Sequence, residues 1–187
     1  MHNPNQIEPN IMNTKVTILA TSLLLTTALW LKAGEPTAPQ PKPSSPEFER
    51  MKSLVGTWTG KADIGQGPID MTVNYRLLAG GSVLEERVFE GTPHEMITMY
   101  YDRDGKLALT HYCMLGNRPA MQLKSSDEKS LSFDFDKTCG INASTESHMH
   151  ALTIRFDDAS TITTSCQARV DGKPVPDHPT TLKRVKS

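Results

Sequence analysis

The chain has no surplus of charge of either sign. Twenty Lys and Arg residues stand against 21 Asp and Glu. No basic run interleaved with aromatics occurs. Such a chain has no global field to draw in nucleic acid or an anionic membrane, so nucleic acid is not an expected partner. Cysteine is scarce: only Cys113, Cys139 and Cys166 are present. Three cysteines are no disulfide framework, and an odd number leaves at least one thiol without a partner in the chain. CxxC and HExxH elements are missing, so the commonest zinc spacings are absent. Asp102, Asp104, Asp157 and Asp158 are turn residues whose spacing matches no calcium loop. Apolar periodicity of the helical kind never outlasts about three turns, which excludes a helix bundle.

What the chain does have begins at Met12, with "MNTKVTILATSLLLTTALWLKAGEP". Lys15 makes a small positive start, Val16 to Leu31 is apolar and uncharged, and Lys32-Ala33-Gly34 offers a small-residue cleavage point. This is the pattern of a secretory signal peptide. The apolar run falls short of the roughly 20 residues of a comfortable membrane span. The expected organisation is a signal peptide over 1–33, with 12–33 its working part and 1–11 an overlong start. A proline-rich linker follows over 34–45, then one domain over 46–187. No cysteine near the cleavage point is available for acylation. The expected destination is the periplasm or the exterior of a bacterium, with no stable membrane span after cleavage. The sequence does not specify an oligomeric state.

Ser45-Pro46-Glu47 reads as a helix start: a capping serine, proline at the first helical position and an acid in the first turn. The helix is short, because Gly56 and β-type residues follow. Ten runs of β character then alternate with turns such as "GQGP", "LAGG", "EGTP", "DRDG", "GNRP", "DDAS" and "DGKP". The spacing predicts an all-β fold: an antiparallel up-and-down barrel of about ten strands, behind one short N-terminal helix. Closure would remove the exposed sheet edges.

Alternation along each strand assigns an inner face. Leu107, Leu109, His111 and Cys113 share one. So do His148, His150, Leu152, Ile154 and Phe156; then Ile162, Thr164, Cys166, Ala168 and Val170; then Thr180, Leu182 and Arg184, joined by His178 if the last strand extends back to 178. Counting strands up and down gathers the polar members at one end and leaves Leu107, Leu109, Ile154, Phe156 and Ile162 at the other. The expectation is an apolar base and a polar mouth, provided that no bulge inverts a strand. Tyr112, of opposite parity, belongs to the rim. If a disulfide forms, the loop residue Cys139 is the better-placed partner for Cys113 or Cys166, since a loop adjusts to a Cα separation of about 4.4–6.8 Å.

"LVGTWTGKA", Leu54 to Ala62, resembles the Gly-x-Trp start of lipocalin-like (calycin) barrels. That resemblance implies that Trp58 plugs the closed end, with Arg184 of "LKRV" packed across it as a structural pair. The combination "H-x-M-x-T-M-Y" from His94 to Tyr100, "LTHYC-x-x-GN-x-P-x-M" and "HMH…DGKP" resembles a group of exported bacterial lipocalin-like proteins of no assigned function. An aromatic expected near Cys166 in that group is replaced here by "TTSCQARV". A more distant resemblance is to nitrobindin-like barrels, which open with "GTW-x-G" and carry an axial histidine on a late strand. It points to heme, with His178 or His150 as the ligand.

The leading expectation is a small apolar or amphipathic ligand held at a mouth lined by His111, Tyr112, Cys113, His148, His150, Cys166 and His178. The alternatives are a metal site, zinc or copper, on His111, Cys113, His148 and His150, and heme. A Cys113 nucleophile with a histidine base ranks third, because no Gly-rich elbow or helix N-terminus lies beside it to lower the thiol pKa. No catalytic residue is assigned, and an enzyme is the lesser expectation.

Overall fold

The computed structural model describes residues 42–63 and 67–186. The expected signal peptide and the first part of the linker lie outside these residues. Ser45 caps α1 (Pro46–Lys52), its Oγ accepting from the Phe48 backbone N–H at 3.1 Å. Glu47 and Glu49 occupy the first turn and Arg50 and Lys52 the last, each end matched to the helix dipole. Phe48 and Met51 carry the buried face. Asp102 accepts from both the backbone N–H (2.6 Å) and the hydroxyl (2.7 Å) of Ser45, tying the helix to a turn of the sheet.

Eleven strands follow: β1 (Gly56–Asp63), β2 (Pro68–Leu78), β3 (Val83–Val88), β4 (Met96–Arg103), β5 (Lys106–Tyr112), β6 (Ala120–Ser126), β7 (Ser130–Phe135), β8 (His148–Asp158), β9 (Thr161–Val170), β10 (Lys173–Pro174) and β11 (Thr180–Arg184). Strands β1 to β9 pair in chain order, β9 pairs with β11, and β11 pairs with β1. Every pairing is antiparallel, so ten strands close a barrel and the two-residue β10 hangs on β9. The all-β barrel that the turn spacing predicts is therefore the observed fold. Strand ends shift by a residue or two, and two of them bear on the site. The fifth strand stops at Tyr112, because Cys113 enters a turn closed by Gly116 N–H on its carbonyl at 2.9 Å. The last strand begins at Thr180 as expected and does not extend back to His178, which precedes it.

The base is filled as patterning requires. Leu84, Leu107, Leu109, Leu131, Ile154 and Ile162 have no exposed surface. Tyr100 and Phe133 meet with ring centroids 6.0 Å apart. Trp58 is 1% exposed and donates from Nε1 to the Leu54 carbonyl at 2.7 Å. The Arg184 guanidinium lies 4.3 Å from the centre of the Trp58 ring and donates to the Val55 and Ser53 carbonyls. Phe156 is only half-buried; Arg50 covers its ring at 4.1 Å while donating to the Asp127 and Glu128 carbonyls. The helix and these arginines close the end where β4 turns into β5 and β8 into β9. The lumen therefore opens at the end of the β5–β6, β7–β8 and β9–β11 connections.

Candidate ligand site in the barrel lumen

A cavity of about 300 Å³ occupies the open half of the barrel. Its walls are Met71, Val73, Val88, Met96, Met149, Leu152, Ala168 and Leu182, with Tyr75, Glu86, Thr98, His111, Cys113, His148, Cys166 and Arg169 adding polar atoms. A second lobe of about 540 Å³ shares Met71, Val88, Met96, Thr164, Cys166 and Ala168 with it and reaches out to Asp63, Val175 and His178. Leu115 and Val170, both largely exposed, stand where the cavity meets solvent. An apolar pocket with a few converging polar groups, in the mouth of a barrel, is the usual form of a small-molecule site.

The polar floor of this cavity centres on Glu86, which no sequence motif singled out. Its Oε2 accepts from the hydroxyls of Tyr75 at 2.7 Å and Tyr100 at 2.8 Å. Its Oε1 accepts from the Thr98 hydroxyl across a long 3.4 Å. Thr98 Oγ lies 3.0 Å from His111 Nδ1. With the threonine proton directed at the carboxylate, the same oxygen accepts from His111 Nδ1–H. That leaves His111 Nε2 as a hydrogen-bond acceptor. Loss of water around Glu86 raises its pKa above the usual carboxylate range, against the lowering effect of the two tyrosines and Thr98. The Tyr75 and Tyr100 hydroxyls are held well above their ordinary value by burial and by the Glu86 carboxylate beside them. Burial brings His111 down to about 4, so its ring is neutral at physiological pH. The five members come from four neighbouring strands: Tyr75 from β2, Glu86 from β3, Thr98 and Tyr100 from β4, His111 from β5.

The expected mouth histidines divide. His111 lies inside, as its parity with Leu109 requires. A bulge separates His148 and His150 from the rest of their strand. Met149 pairs with Ala168 and Ala151 with Gln167, so His150 is the extra residue and Met149 takes the inward position. The shared inner face of His148, His150 and Leu152 is therefore corrected. His148, 2% exposed, still edges the cavity; His150 instead lies in an outer cleft with Asp134, Phe135, Lys137 and Asn142. His148 Nδ1–H donates to the Glu146 carbonyl at 2.7 Å, and its Nε2 meets His150 Nδ1 at 3.0 Å. Phe135 packs on both rings, at 4.7 and 5.2 Å.

Among the described residues no group of three or more His, Cys, Asp or Glu side chains is disposed to hold a metal ion. The metal set of His111, Cys113, His148 and His150 is thus not assembled: the bulge removes His150, both His148 nitrogens are engaged, and His111 is turned to Thr98. His178, the first heme candidate, is exposed in the segment before β11 and edges the outer lobe; His150, the second, lies outside the lumen. Tyr112 is 45% exposed, on the rim. Cys113, Cys139 and Cys166 are all free thiols, so the disulfide expected through Cys139 is absent. Cys113 and Cys166 both border the lumen. The Cys166 side chain is open to the cavity yet removed from bulk water, which pushes its thiol up to about 12, with Asp177 and Glu86 adding to the effect. A thiol so held stays protonated, the reverse of what a nucleophile needs.

No protein-family model matches the chain, and no curated protein matches it. Among solved structures, a protein of unknown function from the DUF3598 family of Nostoc punctiforme aligns with 82% of this chain and 53% of its own, at 15% identity and a TM-score of 0.40. The chain spans about half the length of that protein. The closed ten-strand antiparallel barrel fits a calycin-like fold. No helix among the described residues is long and apolar enough to cross a membrane.

Proposed function

We propose that this is an exported calycin-like protein whose barrel binds a small apolar or amphipathic molecule. The observation that carries the reading is the apolar lumen cavity of about 300 Å³ with its single polar floor at Glu86, Thr98 and His111. Its volume lies at the lower end of the usual small-molecule range of about 300–1,000 Å³, which suits a compact ligand. Packed cores leave few voids larger than a water molecule, so a space of this size and lining is a feature of the fold. Export is supported by the segment 12–33 alone, and its measurement is N-terminal sequencing of protein recovered outside the cytoplasm.

Binding is tested with prodan, a neutral naphthalene dye whose emission shifts in apolar surroundings. The wild-type chain is expected to bind it with a blue-shifted, saturable signal. Ala168 borders both lobes of the cavity, so Ala168→Trp fills the space a ligand would occupy. That variant is expected to keep its far-ultraviolet circular dichroism and lose the signal. Equal dye binding by wild type and a folded Ala168→Trp would place the dye elsewhere and remove the reading.

A further inference from the structure

The lumen holds a carboxylate that the protein leaves without a cation. Tyr75, Tyr100 and Thr98 are the hydrogen-bond partners of Glu86, and all three are neutral hydroxyls. Among the described residues no ion pair is made to Glu86, and the nearest imidazole, His111, is kept neutral by burial. The two carboxylate oxygens are unequally used. Oε2 takes two short hydrogen bonds, whereas Oε1 takes one of 3.4 Å. A carboxylate offers about four lone-pair positions, so Oε1 retains acceptor capacity on the cavity side. His111 Nε2 adds a second acceptor, with no partner among the described residues. The floor thus presents acceptors without a competing positive charge, above which the walls are aliphatic and thioether side chains. Arg169 is the one cationic side chain that borders the cavity among the described residues; it lies at the mouth end, paired in register with His148, and donates to the Gly172 carbonyl.

We infer that the ligand of this cavity is an amphipathic amine, its ammonium donating to Glu86 Oε1 and His111 Nε2 and its apolar body lying among Met71, Val88, Met96 and Leu152. The inference rests on the lumen-binding reading. Burying an ion pair normally carries the desolvation of both partners. Here folding has already removed much of the water around the carboxylate and held it with two tyrosines, so the larger share of the remaining desolvation falls on the ammonium. A charged hydrogen bond then exceeds a neutral one.

Three six-carbon probes, hexylamine, hexanol and hexanoate, are to be tested at pH 7.5 as competitors of bound prodan. Hexylamine is expected to displace the dye at about one-tenth the concentration that hexanol requires, from the difference between charged and neutral hydrogen bonds. Hexanoate is expected to be the weakest. Glu86→Gln keeps the shape and the acceptor but not the charge, and should collapse the amine-to-alcohol ratio toward one. A preference for hexanol or hexanoate in the wild type, or an unchanged ratio in Glu86→Gln, overturns the inference while prodan binding leaves the lumen reading standing. Failure of prodan to bind sinks the lumen reading, and this one with it. Should Glu86→Gln not fold, a crystal structure of the wild type with hexylamine decides. The nitrogen within about 2.7–2.9 Å of Glu86 Oε1 supports the assignment, and a nitrogen at the mouth overturns it.

Discussion

At the scale of single residues, His111 carries the sharpest consequence. Its parity with Leu107 and Leu109 placed it inward, and it is 7% exposed. Glu86 was not legible in the same way. In "VLEERV" it is one of two adjacent acids between arginine and aliphatic neighbours, and nothing local tells it from Glu85. Glu85 turns outward, where Arg76 and Arg87 pair with it; Glu86 turns to the lumen. The difference is one of strand face, and face becomes chemistry only when β2, β4 and β5 bring their hydroxyls and imidazole to the same point. The buried neutral His111 makes stability depend on pH. Its folded pKa of about 4 lies below the 6.5 of an unperturbed histidine, so the unfolded chain binds the proton more readily. Its contribution is complete above pH 6.5 and is lost as pH falls toward 4, by about 3 kcal/mol in all at ~1.4 kcal/mol per unit. His111→Gln, able to keep a hydrogen bond to Thr98, should flatten that slope. The check is the urea midpoint of both proteins from pH 7 to 4.5. Glu86, with its pKa raised, acts in the opposite sense, its contribution fading as pH rises. Asp136, held low by hydrogen bonds from Thr138, Arg103 and Gln122, loses its contribution only as pH falls below the ordinary aspartate range. Both are common to the two proteins, so their difference isolates the histidine. Parallel slopes would show that His111 titrates as an exposed imidazole.

At the scale of the element, strand limits follow from alternation and turn residues, and the exceptions have local causes. The bulge at His150 left no mark in "SHMHALTIRF", because His148, His150 and Leu152 alternate as a regular strand would. Only the register with β9 shows one residue too many. The seam between β1 and β11 depends on a missing side chain. Gly60 faces Leu182 across it, and a Cβ there would meet the Thr181 carbonyl oxygen at 2.3 Å. Backbone on both sides leaves nothing flexible to yield. Gly60→Ala is therefore expected to cost about 1–3 kcal/mol, in the range of overpacking. Amide exchange should locate the damage in the hydrogen bonds of β1 with β11, leaving those of β6 with β7 as slow as before. Uniform acceleration across all strands would contradict a local seam.

At the scale of the whole molecule, closure of the base joins distant parts of the chain. Arg184, at the end of β11, lies on Trp58 of β1, donates to Val55 and Ser53 beyond the helix, and reaches the Ala159 carbonyl in the β8–β9 turn at 3.4 Å. Trp58→Ala removes the largest side chain of the floor, and losses of about 3–5 kcal/mol are usual for such truncations. Arg184→Ala forfeits a cation–π contact of about 0.5–2 kcal/mol, together with the donors to three carbonyls. Thermal melts should rank Trp58→Ala below Arg184→Ala and both below wild type. A Trp58→Ala protein melting within a degree or two of wild type would mean that the floor contributes little to holding the barrel shut.

What the sequence determined by itself is what period and punctuation can carry. Alternation, ten β runs and turn residues between them led to an antiparallel barrel, because side-chain direction repeats every two residues and hairpins need particular backbone angles. Ser45-Pro46-Glu47 marked the helix, because capping is local chemistry. Trp58 and Arg184 were legible as a pair through the resemblance to lipocalin-like barrels, not through period or spacing, and they are in contact. Tertiary structure alone decided the site. Registers between strands placed the bulge that turned His150 out, and folding carried Glu86, Tyr75, Thr98, Tyr100 and His111 from four strands to one point. No short segment holds that information, since the same glutamate is a surface charge or a buried acceptor according to which neighbours the barrel brings beside it.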